Sequence, residues 1–294
     1  MRNRKLLGHI LAALTIIVWG TTFVASKTLL EVLAPIQIMI FRFVIAYVML
    51  WAIHPKWNKL VWKDELKFFL LGLFGCTLYF LTENHALTFT LASNVSILLA
   101  FAPILTSVLA HFFTKDERLH KNIFFGFILA FVGVALVVFN GTVILKLNPR
   151  GDILAFFSAL TWAVYSVILK KVPSKYDSFV VARKVMFYGL ITALPYFLAT
   201  APVIDFAALA EPKYIFCIGY LGILASAICY VTWNISVIEL GVVKTNNYIY
   251  ANPFITMVSA GILLGEPITV MAIGGSVLII LGVVLSGRKK LRKG

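Results

Sequence analysis

Two ionisable side chains fall deep inside apolar stretches of this 294-residue sequence: Arg42 in PIQIMIFRFVIAYVMLWAI and Glu83 in FFLLGLFGCTLYFLTENHALTF. A charge at the centre of a bilayer costs ~2.5–3.5 kcal/mol on insertion scales, so each must face protein, water or an interface. Glu83 has two readings. As a cavity carboxylate it would recognise an ammonium group or carry a proton; lying about 25 Å along a helix that starts at Leu66, it also suits an outer mouth. Arg42 suits a substrate carboxylate. Its counterpart Arg183, at the matching place in the second half of the chain, favours instead a structural ion pair or a snorkelling role.

Uncharged polar and aromatic side chains gather in six apolar stretches, at Trp19, Thr22, Tyr79, Asn84, Asn94, Trp162, Tyr165, Tyr230, Trp233, Asn234, Asn247, Tyr250 and Asn252. The stretches 122–140 and 268–286 hold almost nothing but Phe, Val, Leu, Ile and Gly. That division predicts a cavity among the first group. The expected substrate contacts are Trp19, Thr22, Tyr79, Glu83, Asn94, Trp162, Tyr165, Tyr230, Asn234, Asn247 and Tyr250. Pro103 and Pro253 sit mid-stretch, where a proline removes one backbone hydrogen bond at ~3 kcal/mol. The carbonyls of Leu99 and Ile249 should thereby be freed, and in lipid a free carbonyl is tolerated only against protein or water. Pro103 and Pro253 are therefore expected as paired hinges beside the substrate path. Gly126 with Gly133, and Gly275 with Gly282, lie two turns apart and read as packing positions.

Other chemistries lack their residues. No G-x-x-x-x-G-K-[ST] loop is present for a nucleotide, nor H-E-x-x-H for a catalytic metal, nor G-x-S-x-G for a nucleophilic serine. The sequence thus predicts no enzyme, no cofactor and no metal. Cys76, Cys217 and Cys229 all lie in apolar segments and are odd in number, so they give no disulfide framework.

The elements that must position these groups follow from composition. With 61% hydrophobic and 13% charged residues and a mean hydropathy of +0.95, the chain has more apolar surface than a water-soluble core can bury. Runs long enough to cross ~30 Å of hydrocarbon fall at 6–26, 35–53, 66–87, 92–113, 122–140, 152–171, 179–199, 214–239, 246–264 and 268–286. The first is about twice the length of a signal peptide's apolar region and reads as a retained span. The net charge of +14 lies in short clusters between the runs, which reads as an orientation signal and not as a nucleic-acid surface. If both ends are cytoplasmic, the outer loops keep only Lys27, Lys146, Arg150 and Lys213, Arg42 lies within a run, and the inner side takes the other 21 of 26 basic residues.

The second half repeats the first. Residues 92–134 return as 242–283, setting Pro103, Thr106, Glu117, Gly126 and Gly133 against Pro253, Thr256, Glu266, Gly275 and Gly282. Trp19 pairs with Trp162, Lys27 with Lys170, Arg42 with Arg183, Gly72 with Gly222 and Asn84 with Asn234. The expected fold is an all-α polytopic membrane protein of ten transmembrane helices. Its repeats are residues 1–145 (spans 1–5) and 150–294 (spans 6–10), and since five is odd, the second enters the membrane inverted. Many secondary transporters use such inverted repeats to obtain one conformation open to each side.

WGTTFVASK, Pro35 with Arg42, HALTFTLASNVSILLAFAPILTSVLA, DERLHKNIFFGFILAFVGVALV and GEPITVMAIGGSVLIILGVVL together resemble the EamA branch of the drug/metabolite transporter superfamily over nearly the whole chain. The resemblance implies a permease moving small organic metabolites, often amino acids outward, through a central cavity. The expected setting is the cytoplasmic membrane, with a small-molecule substrate and surrounding lipids as partners. Coupling is left open between facilitated diffusion and proton exchange. Two rivals remain: a cationic-drug/proton antiporter, whose usual first-span glutamate is missing here, and a membrane-embedded enzyme acting on lipid-linked substrates.

Overall fold

The computed structural model describes residues 2–90, 92–114, 121–139, 148–200, 203–264 and 270–287. All regular elements among them are helical. In chain order they are α1 (Arg2–Leu29), α2 (Pro35–Ile53), α3 (Trp62–Phe89), α4 (Ala92–Leu99), α5 (Ala102–Phe113), α6 (Lys121–Phe139), α7 (Pro149–Lys170), α8 (Ser178–Thr200), α9 (Phe206–Leu209), α10 (Pro212–Leu240), α11 (Val242–Asn246), α12 (Asn252–Leu264) and α13 (Val270–Gly287). Six of these, α1, α2, α3, α7, α8 and α10, are long and apolar enough to cross a membrane.

Many large apolar side chains stand on the outer surface, as lipid requires. Leu7, Ile10, Leu14 and Ile17 form an exposed stripe along α1 at helical spacing, while Ala12, Thr15, Ile16 and Phe23 on the other side are buried. Local signals set the helix ends. The Asn148 side chain accepts from the backbone N–H of Arg150 and Gly151 at the start of α7, and Pro149 takes the first helical position, where no N–H is needed. Gly241, at φ 89°, turns the chain sharply between α10 and α11, a conformation that disfavours any side chain.

Packing across the halves comes in matched pairs. α1 lies on α10 as α3 lies on α7, and α1 lies on α12 as α5 lies on α7. α6 and α13 pack on each other. A Cβ on Gly133 would sit 2.5 Å from the Gly275 carbonyl oxygen, and one on Gly282 would sit 2.5 Å from that of Gly126. Backbone therefore meets backbone at both crossings, the close approach expected of small residues.

Two features depart from the unbroken spans expected at 92–113 and 246–264. The first breaks between α4 and α5, and the second passes through a 3-10 turn, Asn247–Ala251, between α11 and α12. Pro103 and Pro253 are each the second residue of the helix that restarts. The Ile249 carbonyl, expected to be free, accepts the backbone N–H of Asn252 through that tighter turn. The sequence also gave no sign that α3 widens into π-helical turns over Leu73–Leu78, or α10 over Tyr220–Ile228.

Candidate functional site

The two wide turns orient the aromatic groups of a central cavity. A π-helical turn leaves carbonyls turned off the helix axis, and cavity side chains use them. Tyr230 donates its hydroxyl to the Gly75 carbonyl at 2.9 Å, and Trp19 donates its indole N–H to the Ala225 carbonyl at 2.9 Å. Trp162 crosses Trp19 edge to face, with ring centroids 5.2 Å apart at 90°, and donates its own N–H to Asn246 Oδ1 at 3.0 Å. Thr106 and Ser166 donate to that same oxygen at 3.5 and 3.3 Å. Tyr79 lies 5.2 Å from Trp162. With their polar atoms committed to protein, Trp19, Trp162 and Tyr230 offer the cavity ring surface.

Thr22, Phe23, Arg42, Phe80, Glu83, Leu99, Ala102, Ile249 and Asn252 complete the lining of the space they bound. Both halves contribute. An offset of 150 residues relates Phe80 to Tyr230, Leu99 to Ile249 and Ala102 to Asn252, while Trp19 faces its own counterpart, Trp162.

The polar groups break this symmetry. Arg42 and Glu83 are 2% and 3% exposed. Arg42 donates its Nε–H to Ser226 Oγ at 2.9 Å, and its guanidinium carbon lies 4.2 Å from the Phe80 ring centre. Among the described residues neither charge enters an ion pair. Glu83 Oε2 and Asn252 Oδ1 are buried acceptors with no hydrogen-bond partner. Such groups cost about 1–3 kcal/mol each while unsatisfied, and Asn84 Oδ1, Tyr165 Oη, Trp233 Nε1 and Asn234 Oδ1 are in the same position outside the cavity. No three His, Cys, Asp or Glu side chains converge as metal ligands among the described residues.

Of the expected substrate contacts, Trp19, Thr22, Tyr79, Glu83, Trp162 and Tyr230 come together here. Four others do not. Tyr165 is fully buried behind Trp162, 4.9 Å away, in space that only a glycine at position 75 leaves open. Asn234 donates to the Ser178 carbonyl at 3.4 Å, at the first residue of α8. Asn84 does the same to Pro35, the first residue of α2, at 3.3 Å. This matched pair of asparagines holds helix starts. Asn247 is buried in the 3-10 turn outside the lining. Tyr250 points away from the cavity into a cluster with Ala100, Ala130 and Ile279. The Asn94 side chain lies outside the described residues, as do Glu117 and Glu266.

Arg42 and Arg183 separate in role. Arg183 donates to the carbonyl of His54 at 2.8 Å and to that of Lys56, with its guanidinium carbon 3.7 Å from the Trp51 ring centre. Arg183 is structural, though its partners are carbonyls and not a carboxylate. Arg42 lines the cavity instead. Applying the repeat offset to Tyr230 would have found Phe80, and applying it to Asn252 would have found Ala102.

Apolar membrane-length helices around an internal cavity with buried charges describe a multi-pass membrane protein. The sequence profile of the EamA-like transporter family matches residues 6–139 and again residues 149–288, so the chain belongs to that family and is a transporter, not an enzyme. An uncharacterized transporter of Archaeoglobus fulgidus is 30% identical, covering 96% of this chain and 98% of that one. A protein of Streptantibioticus cattleyicolor named "Probable terminal-alkyne amino-acid exporter" is 29% identical, covering 95% and 92%. One solved crystal structure shares the fold with a TM-score of 0.73 at 18% identity, covering 97% and 96%.

Proposed function

We propose that this chain exports a small zwitterionic metabolite, an amino acid or a close derivative, across the cytoplasmic membrane by alternating access. Residues 1–145 and 150–294 act as two inverted five-helix repeats, giving ten membrane crossings with both termini cytoplasmic. They rock about the central cavity, with Pro103 and Pro253 at the hinges. The double family match and the paired packing support this reading. So does the name of the Streptantibioticus relative.

The observation that carries the substrate class is the pair of buried, opposite charges, Arg42 and Glu83, lining one cavity against an aromatic wall. A carboxylate meets Arg42, and an ammonium group meets Glu83 and the free Asn252 oxygen. A purely cationic drug fits less well, because Arg42 repels it within a site of low dielectric. Glu83 is also the group suited to carry a proton in exchange.

Tracer exchange in proteoliposomes tests both points. Arg42→Gln and Glu83→Gln should each weaken amino-acid exchange roughly 10- to 150-fold, the weight of one hydrogen bond to a charged group. Undiminished exchange in both variants overturns the substrate class. Loss of the pH dependence in Glu83→Gln supports proton exchange, whereas an unchanged pH profile removes Glu83 from coupling.

A further inference from the structure

A second hollow, open to the outside, lies where residues 54–61 meet residues 171–177, away from the central cavity. Its frame is tightly held. Arg183 fixes the carbonyls of His54 and Lys56, and Asp177 takes the side chains of both, at 3.2 and 3.1 Å. Asp64 takes Lys175 at 2.7 Å and the Tyr176 hydroxyl at 3.1 Å.

What this frame holds outward is both apolar and cationic. Trp57 and Trp62 are each 84% exposed and Leu60 is 80% exposed, next to Lys59 and Lys63. Over residues 54–67 and 170–184, nine Lys and Arg stand against three carboxylates, Asp64, Glu65 and Asp177. All three carboxylates already carry a cation partner. Lys59 lines the hollow and has no ion-pair partner among the described residues.

Large indole surface left open beside surplus ammonium groups is poorly suited to water. It is well suited to the headgroup layer, where Trp anchors and lysines meet phosphate. We infer that this hollow is a binding site for the phosphate headgroup of an anionic phospholipid. Lys59 meets the phosphate, while Trp57, Leu60 and Trp62 sit among the headgroups. The rings of Trp57 and Tyr176 would also suit a quaternary ammonium, but the surplus positive charge opposes one.

The purified full-length protein in neutral detergent, titrated with short-chain phosphatidylglycerol, with phosphatidylcholine of equal chain length and with glycerol 3-phosphate, tests the assignment through its Tm. Phosphatidylglycerol should raise Tm at concentrations where the other two do nothing. Lys59→Gln should raise the phosphatidylglycerol concentration required about fivefold, the weight of one basic residue at an anionic surface, and Lys59→Arg should restore it. An equal response to phosphatidylcholine or to glycerol 3-phosphate overturns the site, as does an unchanged titration in Lys59→Gln. Because Lys59 is an exposed loop residue, the unliganded Tm of each variant should match that of the parent.

Discussion

Tyr230 separates what a cavity residue does for the fold from what it does for a ligand. Its hydroxyl is committed to the Gly75 carbonyl, where the wide turn of α3 needs a donor. Tyr230→Phe should therefore lower Tm, through loss of about 0.5–1.5 kcal/mol, while leaving substrate affinity unchanged. A fall in affinity with Tm intact would mean that the hydroxyl serves the ligand. Glu83 stood out in the sequence as a carboxylate in an apolar run, with a cavity and an outer mouth as its two readings, and its side chain lies in the cavity lining. Arg42 reads as structural in the sequence because Arg183 matches it by position, yet it lines the cavity, and no sequence pattern reports that the carbonyls of His54 and Lys56 reach only the second arginine. Tyr250 was misread for a rotational reason. The 3-10 turn shifts the helical phase, so Ile249 and Asn252 face the cavity and the residue between them does not.

At the level of helices, the prolines were visible as interruptions, but their effect was not. The expected outcome was a kinked helix with a free carbonyl; the structure restarts the helix at both places. Pro103→Ala and Pro253→Ala allow the missing N–H to return and the two pieces to join. Each should leave Tm nearly unchanged, since a proline in the first turn of a helix removes an N–H that has no intrahelical partner, and each should slow transport several-fold or more if the breaks act as hinges. Transport at the parental rate in both variants would dismiss the hinge role. The glycines of α6 and α13 were legible because close backbone approach tolerates little else. The π-helical turns were not, since an extra residue per turn leaves no composition of its own.

Over the whole molecule, duplication was the strongest signal in the sequence, and it survives in the cavity as pairs 150 residues apart. The proposed inversion makes a direct prediction. Single cysteines placed next to Met1 and Gly294, in a background free of the native three, should both be blocked only by reagents that reach the cytoplasmic side. Labelling of the two ends from opposite sides would break the ten-span count.

The lopsided charge of the cavity has one more outcome. Arg42 and Glu83 both belong to the first half of the chain, while the second half supplies mostly ring and carbonyl surface. A bound zwitterion would then ride with one half as the other swings past, keeping its ionic grip throughout the stroke. Its dissociation constant should be nearly the same whether the site is reached from inside or outside, as side-specific competition in oriented vesicles would measure. The net direction of flow would then be dictated by the gradients imposed on the membrane, not by a preference built into the site.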